Sequence, residues 1–486
     1  MESHDTSTTQ PDDRVELNVG GVIFQTTAST LRSGGPDSLL AVLSGAGRRP
    51  IFIDRDPEIF SVLLFILRTG SLPSTARRFP MRELAEEGLY YGIEPLLRAA
   101  AAPRPLIGFD AAPVADIRPA ADGVATAFSA GAEDGSLWIA HGGQISSYDW
   151  TLSHAGTVRT HLDDITSLRR AWQDVAVVGS AESPGLHLYD TARGRHIGAV
   201  HWTDASDPRV YKATVSAIAA DPGSDGDTIY AAFECPHREN CILAVDRATL
   251  RPSGEIGRLS GSSIKSTVAT KLVTVRGRGL LFASAVSAGA FGYSGYMRLW
   301  DPRTREAVWE TTEPGSGRSS TRFGDSFADA DVDWEEPSPA IYKVCWKSGD
   351  VGVADLRMLG DDPWVYLEER SAGLRSDSGG EGGILHCYKK QVFVSRTEGL
   401  EVWSPIDERD EEERAAAVVV AAGAEEEQRK PAFRRNFVDR VEHAARGVIR
   451  RMEGGGDRLF VSREGAEGVE VWESSDSVGT IAVTPD

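Results

Sequence analysis

The chain has 486 residues, with 52 Lys and Arg against 72 Asp and Glu, for a formal charge of −20. Its length sets an expectation of about two to four domains, and its acidity argues against sequence-independent nucleic-acid binding, which needs clustered Lys and Arg on phosphates. Apolar residues at 41% and charged residues at 26% are globular proportions that exclude wholesale disorder.

The opening stretch, MESHDTSTTQPDDR, is polar and acidic and lacks the basic start and apolar run of a secretory signal. The longest apolar runs, Ile59–Leu67 and Ala415–Ala422, fall well short of the ~20 residues that span a bilayer. Cys235, Cys241, Cys345 and Cys387 are too few for a disulfide scaffold, and no Asn-x-Ser/Thr acceptor occurs. A soluble protein with reduced thiols is expected, cytoplasmic and with nuclear entry left open. The acidic blocks Asp407–Glu413 and Glu425–Glu427 read as solvated loops.

Met1–Asp13 reads as a disordered tail. From Arg14 to Ala102 short strands and helices alternate. Val15, Leu17 and Val19 alternate with polar residues, as in a strand with one buried face. Gly20-Gly21 supplies a tight turn into a second strand, Val22–Thr26. Asp37–Leu43 reads as a short apolar helix and Ile51–Ile53 as a third strand. Asp56 is placed to cap a helix with Pro57 in its first turn, running Pro57–Arg68 and stopping at Gly70. That helix is apolar all round, so it is expected either to be fully central or to be covered by a partner. Helices follow at Met81–Tyr90 and Glu94–Ala100, and AAAAPRP (Ala99–Pro105) contains the linker, residues 103–105.

VELNVGGVIFQTTASTL, IFIDRDPEIFSVLLFILRTGSL and EEGLYYGIEPLL, in this order, resemble the BTB/POZ fold, and more narrowly its potassium-channel tetramerisation-domain branch. The resemblance covers Val15–Leu97. Voltage-gated members of that branch hold an interfacial zinc on a His/Cys cluster, but here no Cys precedes Cys235. The resemblance therefore implies the soluble relatives, which self-assemble and often bind cullin-3. Asn18, Asp54, Arg55 and Asp56 are the candidate contacts between subunits, with a plain surface charge triplet as the alternative for the last three. Phe60, Leu64, Phe79, Tyr90 and Tyr91 are the candidate cullin face, with burial in the core as the alternative. Tetramer, pentamer and dimer all remain open.

From Leu106 onward helical periodicity fades, and a two-strand phrase recurs seven times. Its second strands are GQISSYD, GLHLYD, CILAVD, GYMRLWD, GDVGVADL, GLEVWS and GVEVWE, each preceded by an apolar strand such as SLWIAH or QVFVSR. A period of roughly 40–55 residues built of strand pairs points to β-propeller blades, because one small sheet cannot bury both of its faces alone. The units resemble degenerate WD repeats, although only Trp300-Asp301 keeps the literal dipeptide. Seven blades over residues 106–486 is the count, with six or eight close alternatives. Leu106–Asp110 is a candidate for closing the ring, and Pro405–Gly456 reads as an acidic insertion with an amphipathic helix around Phe437–Met452.

No cofactor or metal site and no catalytic constellation stands out. Cys235-Pro-His237 with Cys241 lacks the second ligand pair that a zinc site needs, and reads as a hairpin loop. Ser262-x-x-Lys265 lacks the partner motifs of a Ser/Lys nucleophile. His154, His161, His196 and His201 read as loop or satisfied core residues. Trp138, Trp300, Trp309, Trp346, Trp364, Trp403 and Trp472 read as blade packing. The fold class is thus a BTB/POZ module followed by an all-β propeller. The resemblance implies a non-enzymatic, self-assembling adaptor that recruits a target protein to a cullin-3 ubiquitin ligase, the alternative being a scaffold that gathers signalling proteins. An enzyme with its site in the propeller channel would need carboxylates or histidines converging on the central face. The layout resembles plant members of the family.

Overall fold

The structure, a computed structural model, describes residues 13–45, 50–108, 110–119, 123–172, 174–220, 228–236, 238–261, 266–289, 292–311, 327–346, 348–367, 383–396, 399–406, 433–440 and 446–474. The expected tail Met1–Asp13 lies outside them apart from its last residue, and so do both acidic blocks. Chain contacts divide into two units, Met1–Pro103 and Arg104–Asp486. Among the described residues no helix is long and apolar enough to cross a membrane.

In the first unit the alternation of Val15, Leu17 and Val19 becomes β1 (Arg14–Val19), with those three side chains buried. β1 pairs antiparallel with β2 (Val22–Thr27) and parallel with β3 (Ile51–Ile53), giving a three-stranded sheet. Between them come two short helices, α1 (Ala28–Arg32) and α2 (Leu39–Leu43), capped by the hydroxyls of Thr27 and Ser38. The turn between β1 and β2 needs its glycine. Gly20 has φ +55°, and a Cβ there would sit 2.5 Å from the Arg55 carbonyl oxygen, so the turn presses on the junction where the next helix begins.

That helix is α3 (Pro57–Thr69). Asp56 Oδ1 accepts from the backbone N–H groups of Glu58 (2.7 Å) and Ile59 (3.2 Å), and Gly70 closes the helix in the left-handed region with its N–H on Ile66 O at 2.7 Å. Its own domain buries Ile59, Phe60, Val62, Leu63, Leu64, Ile66 and Leu67 and leaves Phe65 as the one large exposed apolar side chain. The helix is central, so its oily surface is not the partner surface that was the alternative. α4 (Met81–Tyr91) and α5 (Glu94–Ala101) pack on it and on each other. Gly92 joins them at φ +72°, where a Cβ would meet Ser38 Cα at 2.9 Å.

The second unit consists of seven antiparallel sheets of four strands. Every predicted strand pair is the middle hairpin of one sheet, for example Leu137–His141 with Gln144–Tyr148 and Arg458–Arg463 with Val469–Ser474. A further strand precedes each hairpin, and in the first six sheets an outer strand follows it. The innermost strands are Ala127–Ala130, Ser167–Trp172, Thr214–Ala219, Lys271–Val275, Phe327–Asp333, Ile384–Tyr388 and Ile449–Gly455. Each touches the next, and the last touches the first, so the ring is closed. Apolar faces of successive blades interlock, as where Val177, Leu186 and Leu188 of the second meet Val215, Ile229 and Phe233 of the third.

The seventh blade borrows its outer strand from the beginning of the unit. β4 (Ala111–Ile117) pairs antiparallel with Val469–Ser474, from Ser474 opposite Ala111 to Val469 opposite Ile117. This corrects the expected closing segment, Leu106–Asp110. Leu106 is instead buried in the seam between the sixth and seventh blades, beside Trp472 and Phe393. The span 405–456 is also corrected. Phe433–Arg440 is the outer strand of the sixth blade and Ile449–Gly455 the innermost strand of the seventh, so strands stand where a helix around Phe437–Met452 was expected. The edge of each hairpin needs a hydrogen-bonding neighbour, and that demand overrides a weak helical period.

Candidate functional site

The subunit-contact candidates divide. Asn18 lies mid-strand on the outer face of the sheet, in register with Ile23 on one side and Phe52 on the other. Cross-strand partners point to the same side, so the three form one row, with Ile23 49% and Phe52 61% exposed. The Asn18 Oδ1 atom is buried and has no hydrogen-bond partner among the described residues. Asp54 is exposed on the way into α3. Arg55 pairs with Glu87 Oε1 at 3.1 Å and stacks over the Tyr90 ring at 3.9 Å, clasping α4. Asp56 is occupied as the cap of α3.

The cullin-face candidates divide as well. Phe60, Leu64 and Tyr91 are core residues: Phe60 packs edge-on against Phe24 at 5.0 Å and against Tyr91 at 5.2 Å. A partner cannot reach them without opening the fold, which corrects their place on that list. Burial of Tyr91 pushes its hydroxyl pKa well up. Tyr90 is exposed and Phe79 half-buried. Sequence reasoning missed Leu89, 70% exposed on α4, and Val42, exposed on α2, the helix that packs against it.

In the propeller, polar side chains do converge on the innermost strands. Lys271 Nζ lies 2.9 Å from Asp329 Oδ2 and 3.9 Å from Asp331 Oδ2, and donates to Leu385 O at 3.0 Å. Asp329 Oδ2 accepts from Leu385 N (2.9 Å), and Asp331 Oδ2 accepts from Cys387 N and His386 Nδ1 (both 3.1 Å). His386 Nε2 accepts from Gly454 N at 2.9 Å, which places the ring proton on Nδ1. The second oxygens of both aspartates take the N–H groups of Ala330 and Val332. In the adjoining seventh blade, Glu453 accepts from Ala130 N at 3.1 Å and from Arg169 Nη1 at 2.6 Å. Lys271, both aspartates, His386, Glu453 and Arg169 each bond to a group of another blade. The convergence that an enzyme would need is present, but the groups are used to join blades. Burial alone would raise the Asp331 pKa, but Lys271 and His386 outweigh it and bring it down to about 2. For Asp329 burial outweighs Lys271, and its pKa is raised.

Asp333, at the end of the same strand, has for a cation only the weaker pull of Lys390 against its burial. Burial, helped by the Glu335 and Asp331 carboxylates, lifts its pKa to about 6. A folded-state pKa above the unfolded value of ~3.9 means that ionisation opposes folding, so this group's contribution falls as pH rises from ~4 to ~6. Asp333→Asn is therefore expected to stabilise the protein by about 1–2 kcal/mol at pH 7 and to change little at pH 4. Urea midpoints of the two proteins at both pH values check this, and equal midpoints at pH 7 would refute it.

Other sequence candidates are plain in their places. Cys235 and Cys241 flank a hairpin turn, with Cys235 N on Glu239 O at 2.8 Å, and both thiols are free and buried. His237, Ser262 and Lys265 lie outside the described residues. Trp138, Trp300, Trp403 and Trp472 are buried in blade cores. His161 and His196 come together with His187, a grouping that their sequence spacing does not announce.

A parallel-plus-antiparallel three-stranded sheet under a capped central helix, followed by a seven-bladed ring, defines a protein of two interaction modules. Family comparison agrees with each. Residues 15–100 match the BTB/POZ domain model, and residues 119–423 match the At2g24240-like, C-terminal beta propeller. The chain is 33% identical over 468 residues to the BTB/POZ domain-containing protein At5g41330 of Arabidopsis thaliana, covering 95% of this chain and 96% of that one. It is 27% identical to At4g30940 and 26% identical to At2g24240 of the same plant, covering 95% of this chain and 98% of each relative. The chain belongs to this family of plant BTB/POZ proteins with a C-terminal β-propeller.

Proposed function

We propose that the protein is a substrate-recruiting adaptor of a cullin-3 ubiquitin ligase, working in the cytoplasm, with nuclear entry left open. BTB domains mediate self-association and propellers bind proteins, and the combination fits a protein-interaction adaptor. The observation that carries the finer reading is that the BTB unit leaves two separate apolar surfaces. The sheet row Ile23–Asn18–Phe52 suits a second copy of the chain, which can supply a donor for the Asn18 oxygen and cover two apolar neighbours. Leu89 and Tyr90 on α4, with Val42 on α2, suit the cullin. The propeller holds the target, and several propellers on one assembly raise avidity without new contacts. The chemistry is scaffolding: nearness raises the effective concentration of a target lysine beside the ubiquitin-loaded enzyme. The free thiols of Cys235 and Cys241, in adjoining segments of one blade, suit a reducing compartment.

Capture of purified cullin-3 by the full chain tests the reading. Micromolar or tighter binding is expected, weakened at least ~10-fold by Leu89→Asp with Tyr90→Ala, as for the loss of an apolar anchor. Circular dichroism and light scattering should show the fold and oligomer of that variant intact. No capture at ~10 μM by a folded, oligomeric protein would remove the ligase role and leave the signalling scaffold.

A further inference from the structure

We propose that the second blade carries a three-histidine site for a divalent first-row metal ion, Zn²⁺ by its donor set, built from His161, His187 and His196. Their candidate ligand atoms all lie within 4.8 Å of one another. His187 is on the third strand of the blade, Leu186–Asp190, and His196 on its outer strand, Arg195–Val200, where it faces Tyr189 across the ladder. His161 comes from the connection that leads out of the first blade. An ion here would fasten the outer edge of the second blade to that connection.

His187 carries the argument. It is only 5% exposed. Its Nε2 lies 3.0 Å from the Pro184 carbonyl, a partner that can only accept, so the ring proton is on Nε2. The lone pair then sits on Nδ1, which is buried and has no hydrogen-bond partner among the described residues. A buried acceptor left unmatched costs stability, and a metal ion among three imidazoles would satisfy it. His161 is oriented in the way metal-ligating histidines usually are, with one nitrogen held by a neighbour: its Nδ1 is 2.8 Å from the Tyr189 hydroxyl. Such outer partners fix ring orientation and tautomer. The His196 ring lies edge-on to the His161 ring, with centroids 4.8 Å apart.

Zn–N bonds of ~2.0–2.1 Å in a tetrahedron need nitrogens ~3.3 Å apart. The His161 and His196 side chains are exposed, so small side-chain rotations, with the Tyr189 hydroxyl following His161, close the remaining ångström or so. Imidazole donors suit Zn²⁺, Cu²⁺ and Ni²⁺ better than Mg²⁺ or Ca²⁺, and three of them leave a fourth position for water.

The test uses the full-length protein without a polyhistidine tag, loaded with Zn²⁺ and dialysed, with zinc measured by atomic emission and Co²⁺ substitution read by its visible d–d absorption. About one zinc per chain at micromolar or tighter affinity, with a four-coordinate cobalt spectrum, is expected. His161→Gln with His196→Gln changes only exposed side chains, so the fold is kept, and it should weaken binding at least ~10-fold and abolish the cobalt band. Far fewer than one zinc per chain at ~10 μM, or undiminished binding by the double variant, would overturn the site.

Discussion

Asp331→Ala is expected to destabilise the protein by about 3–5 kcal/mol at pH 7, because it removes one member of a buried charge group and strands the others. Lys271 would keep Asp329 as a partner, but His386 Nδ1–H and Cys387 N–H would lose their acceptor inside the ring. The blades affected are the fourth, fifth and sixth, so the loss falls on the seams between blades and not on one sheet. Asp331→Asn, which keeps an acceptor oxygen but not the charge, should fall between wild type and alanine. The pH dependence has a definite sign. The folded-state pKa of about 2 lies below the unfolded value of ~3.9, so the stabilisation is fully present above pH ~4 and is lost as pH falls towards ~2. Denaturant titrations of the three proteins between pH 7 and pH 2.5 check this. A wild-type-to-alanine gap below ~1 kcal/mol at pH 7 would show that the network is dispensable.

Removing β4 will open the ring. A propeller unit that begins at Arg104 should unfold in one cooperative transition, whereas one that begins at Pro119 should lose that transition or aggregate. Without Ala111–Ile117, the strand Val469–Ser474 presents a bare edge, which is a template for mispairing. The same cut removes Leu106 from the cluster around Trp472, and frees Gln391 Nε2, which donates to the Leu106 carbonyl at 2.7 Å. Residues 119–423, the span of the family match, include neither β4 nor the seventh blade, so that segment alone should not close. Within the full chain Trp472→Ala, at a fully buried position, should cost about 3–5 kcal/mol. Calorimetry of the two propeller forms decides the matter: equal transitions would mean that closure does not depend on β4.

Much of this architecture is legible in the chain. Asp56, Pro57 and Gly70 mark α3 at both ends, since the orphan N–H groups, the fixed proline φ and the left-handed glycine are local needs that single residues meet. The seven hairpins show because their strands are buried on both faces, making continuous apolar runs broken by turns. The flanking strands do not show. Phe327–Asp333 reads FADADVD and Ile449–Gly455 reads IRRMEGG, charged segments that resemble loops until the opposing blades supply their partners. Outer strands such as Arg195–Val200 are largely exposed and carry little pattern. The burial of Phe60, Leu64 and Tyr91 was equally hidden, because an apolar residue suits a core and an interface alike.

By itself the sequence determined the two modules, their order, the recurring hairpins and the caps of the central helix, because these depend on neighbours a few residues apart. Only the tertiary structure decided which strand closes the ring, which apolar side chains of the first unit remain outside, and that His161, His187 and His196 share one spot. Those outcomes rest on pairings between segments from tens to hundreds of residues apart, whose energies arise only when the segments meet.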